Sequence, residues 1–108
     1  MLIKYLHVFL KGLRLPGPPE NLKTVKILSH SVNISWEAPL IKGDGLISYI
    51  ITGQKGFSTE FKQTQLEKNL TGLKPYTTYE VKVLSTNSYK KNESAYKIVT
   101  FKTAEAGI

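Results

Sequence analysis

The chain of 108 residues contains no cysteine. It therefore cannot form a disulfide framework, supply a thiolate nucleophile or build a cysteine-based zinc site. A small secreted domain without disulfides must be stabilised by packing alone, so the missing cysteine leaves the cellular compartment open. Long hydrophobic runs are missing too, and the apolar stretches are too short to span a bilayer as a helix.

Histidine and aspartate, two residues that commonly perform acid–base chemistry, are scarce. The chain has two histidines, His7 and His30, and one aspartate, Asp44. Asp44 stands in a glycine-flanked turn, where its carboxylate can bond local backbone. An enzyme must bring a nucleophile, a base and an orienting group together. The sequence offers no such set, no phosphate loop and no metal-ligand spacing, and we therefore predict a non-catalytic protein that uses no cofactor and no metal.

Lysine dominates the charge of the chain. Fifteen basic residues against eight acids give a formal net charge of +7, and Arg14 is the only arginine. Nucleic-acid-binding surfaces typically cluster arginines with exposed aromatic rings, so we predict no nucleic-acid partner. A solvated lysine surface accounts for the composition, and attraction to acidic glycans is the alternative that the charge leaves open.

The first 15 residues, "MLIKYLHVFLKGLRL", differ from the rest because they are leucine-rich and contain no acid. Lys4, His7, Lys11 and Arg14 recur at helical spacing and would share one face. A signal peptide is one interpretation, but the apolar region is interrupted and no small-residue cleavage site follows. A helix on a membrane surface is another. We predict that residues 1–16 form a leader outside the fold, disordered or helical.

From Asn21 onward the sequence reads as short strands separated by turn residues. The stretch "VNISW" alternates clearly, with Val32, Ile34 and Trp36 on one side, and "LISYIITGQ" and "YEVKVLS" repeat the pattern. Seven short strands with half-buried alternation, and no convincing helix, predict an all-β sandwich. The residues predicted to form its core are Ile34, Trp36, Tyr49, Leu73, Tyr79, Val81 and Val83.

One tyrosine stands where a turn becomes a strand. In sandwiches of this kind, such a tyrosine turns back at the corner before the sixth strand, and its hydroxyl bonds to backbone a few residues upstream. Tyr79 has this position, with the corner at residues 72–75. An antibody-type domain would have a cysteine two residues later, and Val81 stands there instead.

Taken in order, "PPENL", "VNISWEAP", "ISYIITG", "LTGLKPYTTYEVKV" and "VTFKT" resemble the fibronectin type III domain over residues 18–103. The resemblance implies a seven-stranded, immunoglobulin-like Greek-key sandwich. It places one domain at residues 17–104, followed by a linker at 105–108. Five matching stretches in the correct order are far more specific than one.

The resemblance also implies a biological setting. Proteins with such domains include cell-surface receptors, adhesion proteins and receptor tyrosine phosphatases. We therefore expect a non-catalytic extracellular module that acts as a spacer or a protein-interaction domain. Its partners would be another protein and neighbouring domains of the same chain. Its link to the membrane would be the parent chain, expected to cross the bilayer once.

Three N-glycosylation sequons are present, at Asn33, Asn69 and Asn92. About 0.8 would be expected by chance from five asparagines and 18 serines and threonines among 108 residues. Asn33 alternates with inward Val32 and Ile34 and is predicted to face solvent. We predict that all three can carry glycans, which favours an extracellular location.

The remaining prediction concerns a contact loop. In this architecture the loops at residues 37–45 and 88–94 lie at the same end of the sandwich. Tyr89, Lys90 and Lys91 combine an aromatic ring with two cations and are the candidate binding residues. The family's integrin-binding Arg-Gly-Asp tripeptide is absent from this loop. Two alternative functions stay open, an intracellular sarcomeric-type structural module and a weak heparin- or acidic-glycan-binding module.

Overall fold

A computed structural model describes residues 14–55, 59–87 and 91–107. These residues contain seven β-strands and no helix, and hence no helix that could cross a membrane. This arrangement confirms the prediction of an all-β fold. The strands are β1 (Glu20–Ile27), β2 (Val32–Glu37), β3 (Ile47–Lys55), β4 (Glu60–Gln63), β5 (Glu67–Leu70), β6 (Thr78–Asn87) and β7 (Lys91–Lys102).

The strands form two antiparallel sheets. One has three strands in the order β1-β2-β5, and the other has four in the order β4-β3-β6-β7. The chain changes sheet between β2 and β3, between β4 and β5, and between β5 and β6. These crossings join two layers into the predicted immunoglobulin-like sandwich.

Alternating side chains of both sheets meet in the core. The Trp36 ring meets the Tyr49 ring edge-on, with centroids 5.5 Å apart, and Tyr79 stacks on Phe101 at 5.8 Å. Burial raises the pKa of the Tyr49 hydroxyl above its usual 10.0. All seven residues expected in the core are buried there: Ile34, Trp36, Tyr49, Leu73, Tyr79, Val81 and Val83.

Lysines occupy inward-facing positions at both open edges of the sandwich. Lys68 on β5 lies opposite the core residue Ile34, and its Nζ lies 4.0 Å from the centre of the Phe61 ring on β4. On β7, Lys97 lies 3.9 Å from the Glu20 carboxylate of β1. Each lysine thus joins an edge strand of one sheet to an edge strand of the other. Inward-pointing charges at edges also oppose pairing with a foreign strand.

Three segments meet at the end of the sandwich where the chain leaves β7, and we call this end the exit pole: residues 28–31, 73–77 and 103–104. The buried Tyr79 places its hydroxyl 2.8 Å from the backbone N–H of Lys74, which donates a hydrogen bond to it. This bond confirms the predicted tyrosine corner, because it gives the hydroxyl of a buried ring a partner.

Thr103 joins the end of β7 to the segment 73–77 through its buried side chain. Its Oγ1 accepts a hydrogen bond from the Thr77 N–H at 2.9 Å and donates to the Lys74 carbonyl at 2.6 Å. The neighbouring Ala104 N–H donates to the Leu28 carbonyl at 3.1 Å. The end of β7 is therefore held by hydrogen bonds to both of the other exit-pole segments, residues 28–31 and 73–77.

Candidate functional site

The opposite end of the sandwich, where the chain enters β1, is built on the loop between β2 and β3. We call it the entry pole, and it comprises residues 14–17, residues 38–46 and Asn87. The Asp44 N–H donates to the Arg14 carbonyl at 2.9 Å, and the Asp44 carboxylate accepts from the Arg14 N–H at 2.6 Å. These bonds fasten the loop to the entry segment.

Two further contacts hold the same loop. The Asn87 side-chain amide donates to the Arg14 carbonyl at 2.9 Å, and the Gly17 N–H donates to the Ile41 carbonyl at 2.8 Å. Gly43 has a φ of +69°, and a Cβ added there would lie 2.6 Å from the Arg14 oxygen. Glycine is therefore required for the close approach of the two backbones.

The fastened loop presents large aliphatic side chains to solvent. Leu40, Leu46 and Ile41 are 84%, 78% and 62% exposed. Single exposed aliphatic residues are common on protein surfaces, whereas a concentration of them indicates a contact surface. Three within one loop, on backbone held by hydrogen bonds, make the entry pole the best candidate for binding among the described residues.

The predicted contact residues lie next to β7 in the sequence. Tyr89 and Lys90 lie outside the described residues, and of Lys91 only the backbone is described. That backbone already belongs to β7, so the prediction of a loop over residues 88–94 was wrong at its C-terminal end. Lys91 lies opposite Thr86 in the ladder between β6 and β7, and polar residues form such a ladder as readily as apolar ones because its hydrogen bonds are made by the backbone.

The two titratable residues considered for catalysis are far apart. At the exit pole, His30 Nδ1 lies 2.9 Å from the Leu73 carbonyl, and the Leu73 N–H donates to the His30 carbonyl at 3.0 Å. Asp44 bonds Arg14 at the entry pole. The six residues of β2 separate them by about 20 Å. Within the described ranges, no three His, Asp or Glu side chains are grouped as a metal site.

The sequons occupy both sheets. Asn33 on β2 and Asn69 on β5 are direct cross-strand partners. Asn33 is half-buried and Asn69 is exposed. Asn92 belongs to β7 in the other sheet, and its side chain lies outside the described part of the chain. Two of the candidate glycosylation residues are thus neighbours in space.

A shallow cavity of about 290 Å³ opens beside Asn69, between β4, β5 and the corner before β6. Phe61, Lys68 and Tyr79 contribute to its wall. Its volume is at the lower end of the range found for small-molecule sites. Its polar groups include Tyr79, whose hydroxyl already serves the tyrosine corner, so the cavity is part of the corner's architecture.

Sequence reasoning missed two features of these surfaces. One is the exposed aliphatic group of the entry pole, for which the available signal was Leu40, Ile41 and Leu46 within a stretch of loop composition. The other is the pairing of Asn33 with Asn69, for which no local signal exists because the two residues are 36 positions apart. Only the pairing of β2 with β5 brings them together.

Comparison with known proteins gives a consistent result. A family model described as "Fibronectin type III domain" matches residues 17–100. The chain is 40% identical over 80 residues to Tyrosine-protein phosphatase Lar of Drosophila melanogaster, covering 63% of this chain and 4% of that protein. It is 36% identical over 81 residues to human Phosphatidylinositol phosphatase PTPRQ, covering 68% of this chain and 4% of the relative.

Protein sidekick-2 of Gallus gallus is 34% identical over 79 residues, which again cover 68% of this chain and 4% of the relative. The chain therefore spans about 4% of the length of these relatives. Among solved structures, the FN5 domain of Drosophila Lar has a TM-score of 0.56 and 30% identity, covering 82% of this chain and 97% of that one. Domains d3–d4 of the rat CD45 extracellular region give a TM-score of 0.75 at 22% identity, covering 84% of this chain and 51% of that one, which shows the fold alone.

Proposed function

The chain belongs to the fibronectin type III family, and from this premise we propose that it is a non-catalytic extracellular module of a larger receptor or adhesion protein. Its domain is similar to those of receptor phosphatases and of sidekick-2. In this proposal the domain spans residues 17–104, between a leader and a linker, and any catalytic activity of the parent protein belongs to other parts of it. The parent chain is proposed to cross the membrane once.

We propose that the module binds a protein or a neighbouring domain through its entry pole. The observation that carries this proposal is the exposure of Leu40, Ile41 and Leu46 on a loop held by hydrogen bonds. A rigid loop loses little conformational entropy when it binds, and exposed aliphatic area provides the hydrophobic gain. The remaining surface would serve as a spacer.

Photo-crosslinking in the parent protein on living cells tests the entry pole. A photoreactive phenylalanine replaces Leu40 or Leu46 in separate variants, and the matched control replaces Val25, an exposed aliphatic residue on β1. We expect protein adducts from the entry-pole variants and none from the control. Equal yields from all three, or no adduct at either pole position, would leave only the spacer role.

Cell-surface accessibility tests the location. Antibodies raised against residues 14–107 should label intact cells that express the parent protein as strongly as permeabilised cells. Labelling that appears only after permeabilisation would favour the intracellular sarcomeric-type alternative. Glycosidase treatment should also lower the mass of the protein if Asn33, Asn69 or Asn92 carries a glycan.

The contact prediction for Tyr89, Lys90 and Lys91 stays a prediction from sequence and is tested separately. Replacing Lys90 and Lys91 with glutamate reverses two charges and should abolish any retention on a heparin column. The salt dependence of retention measures how much of the binding is electrostatic. Elution below physiological salt would exclude the acidic-glycan alternative.

A further inference from the structure

Asn33 and Asn69 lie side by side on the outer face of the three-stranded sheet. Their register is direct, with Val32 opposite Leu70 and Asn33 opposite Asn69. Val32 and Leu70 are both buried in the core. Because alternate residues of a strand face opposite sides, the next pair, Asn33 and Asn69, faces outward.

The two asparagines have unequal room. Asn33 is on the central strand, between Lys26 of β1 and Asn69 of β5, and is half-buried. Asn69 is on the edge strand β5 and is exposed. A sugar on Asn69 can lean away from the sheet, whereas a sugar on Asn33 has an occupied strand on each side.

We propose that Asn33 and Asn69 act as one paired glycosylation site, at which the folded domain carries a single N-linked glycan, predominantly on Asn69. Side chains directly opposite each other in an antiparallel pair have Cβ atoms about 4.5–5.5 Å apart. This spacing is comparable to the width of one pyranose ring. Two N-acetylglucosamine residues cannot both stand over the pair without displacing each other or the neighbouring Lys26.

The modification itself is a group transfer from a lipid-linked oligosaccharide diphosphate. A bond forms between the asparagine Nδ2 and C1 of the first sugar, while the bond between C1 and the diphosphate oxygen breaks. The amide loses one proton, and the lipid diphosphate leaves with the bonding electrons. The hydroxyl of the third sequon residue belongs to Ser35 for Asn33 and to Thr71 for Asn69.

Folding is the step that makes the two sites exclusive. The transferase modifies extended chain, in which residues 33 and 69 are far apart, so each sequon can be used alone. Once β2 pairs with β5, a chain that carries both sugars must crowd them onto one cross-strand position. Such chains fold poorly and are retained, and the secreted product is therefore enriched in the singly modified form.

This inference rests on the proposed extracellular function, because only chains in the secretory pathway meet the transferase. The experiment removes that dependence by attaching a secretion leader to the full chain and expressing it in mammalian cells. All variants that measure the occupancy of the pair carry Asn92→Gln, so that only Asn33 and Asn69 can be modified. Site occupancy is read from intact mass and from glycosidase-dependent conversion of asparagine to aspartate.

Two single-site variants supply the reference values. Asn33→Gln reports the occupancy of Asn69 alone, and Asn69→Gln reports that of Asn33 alone; each should be largely modified. Independent sites would give a doubly modified fraction equal to the product of these two occupancies. We expect a fraction at least about fivefold below that product, with most of the single glycan on Asn69. Thermal unfolding of each variant verifies that the secreted chain is folded.

A matched control separates proximity from general competition between sequons. Asn92 belongs to the other sheet, so in a chain with its natural Asn92 the occupancy of that residue should be the same with and without Asn69→Gln. A doubly modified fraction equal to the product would overturn the inference, and so would a single-site variant that stays unmodified. Failure of the extracellular proposal appears elsewhere, as absence of the natural parent protein from the cell surface.

Discussion

Hydrogen bonds to the backbone hold the loops at both poles of the sandwich, but they leave different side chains buried or exposed. At the exit pole, backbone groups of Lys74 and Thr77 bond the buried side chains of Tyr79 and Thr103. At the entry pole, hydrogen bonds hold the loop backbone, and the aliphatic side chains of Leu40 and Leu46 stay outside. An ordered loop is therefore compatible with either a structural or a binding role, and the burial of its side chains distinguishes the two.

The largest loss of stability is expected in the core, from substitution of Trp36, which belongs to neither pole. Trp36→Ala should lower the free energy of unfolding by about 3–5 kcal/mol, enough to leave the chain largely unfolded at body temperature if its stability is typical of small domains. Trp36→Phe is the control and should lose less, because within the described chain the indole Nε1 has no hydrogen-bond partner. Cooperative thermal melting of Trp36→Ala at the parent temperature would contradict the expectation.

The tyrosine corner should give the next largest effect. Tyr79→Phe leaves the ring in place but removes the acceptor for the Lys74 N–H, which should lower the free energy of unfolding by about 1–3 kcal/mol. Tyr76→Phe at the same pole is the matched control, because Tyr76 is exposed and lies over the Lys102 ammonium. Chemical denaturation should show little change in the free energy of unfolding of Tyr76→Phe. Equal losses in the two variants would contradict a stabilising role for the Tyr79 hydroxyl.

Thr103 tests whether the end of β7 depends on its side chain. Thr103→Val preserves shape but removes the Oγ1 that bonds Thr77 and Lys74, and about 1–2 kcal/mol of stability should be lost. Thr100→Val, at an exposed position of the same strand, is the control. Amide hydrogen exchange should accelerate at the exit pole of the Thr103 variant while the entry pole stays protected. Uniform acceleration throughout the domain would argue against a local role.

Alkaline titration examines the core between the poles. The pKa of Tyr49 is raised by burial, so the unfolded chain ionises this residue before the folded chain does. The contribution of Tyr49 to the free energy of unfolding is therefore fully present below pH 10, the pKa in the unfolded chain. It is lost as the pH rises through the higher pKa of the folded chain. Tyr49→Phe should therefore reduce the alkaline loss of stability while changing little at neutral pH. The readout is the denaturation midpoint measured from pH 7 to 12, and parallel curves for both proteins would refute the shift.

The smallest effect on stability is expected at the entry pole. Leu40→Ser with Leu46→Ser should change the free energy of unfolding by no more than about 0.5 kcal/mol, because both side chains are exposed. Leu73→Ala at the exit pole, where the leucine is buried, should lose about 2–5 kcal/mol. Denaturant titration compares them directly. A large loss in the double variant would mean that the entry-pole leucines stabilise the fold and are not held for binding.

The parts of the fold that could be predicted are those encoded by neighbours in the sequence. Alternation in "VNISW" indicates a strand with one buried face whatever its partner, and the tyrosine corner joins Tyr79 to Lys74 only five residues away. Strand β1 was harder to interpret, because its pairing with β2 is shifted twice. Burial alternates as far as Val25, so that Leu22 reaches the core and Val25 is exposed. However, Lys26 and Ile27, at and beyond the second shift, are both exposed, which a simple alternating pattern does not contain.

The amino-acid order by itself determined the layer architecture, the core residues and the family, since burial of alternating apolar side chains is a local property of each strand. Tertiary structure decided which surfaces meet. It joined Arg14 to Asp44 across 30 positions and set Asn33 beside Asn69. It also brought Lys97 to Glu20 across an open edge. Local periodicity indicates which face of a strand is buried but not which strand lies beside it. The entry pole and the pairing of Asn33 with Asn69 therefore form only when the sheets assemble.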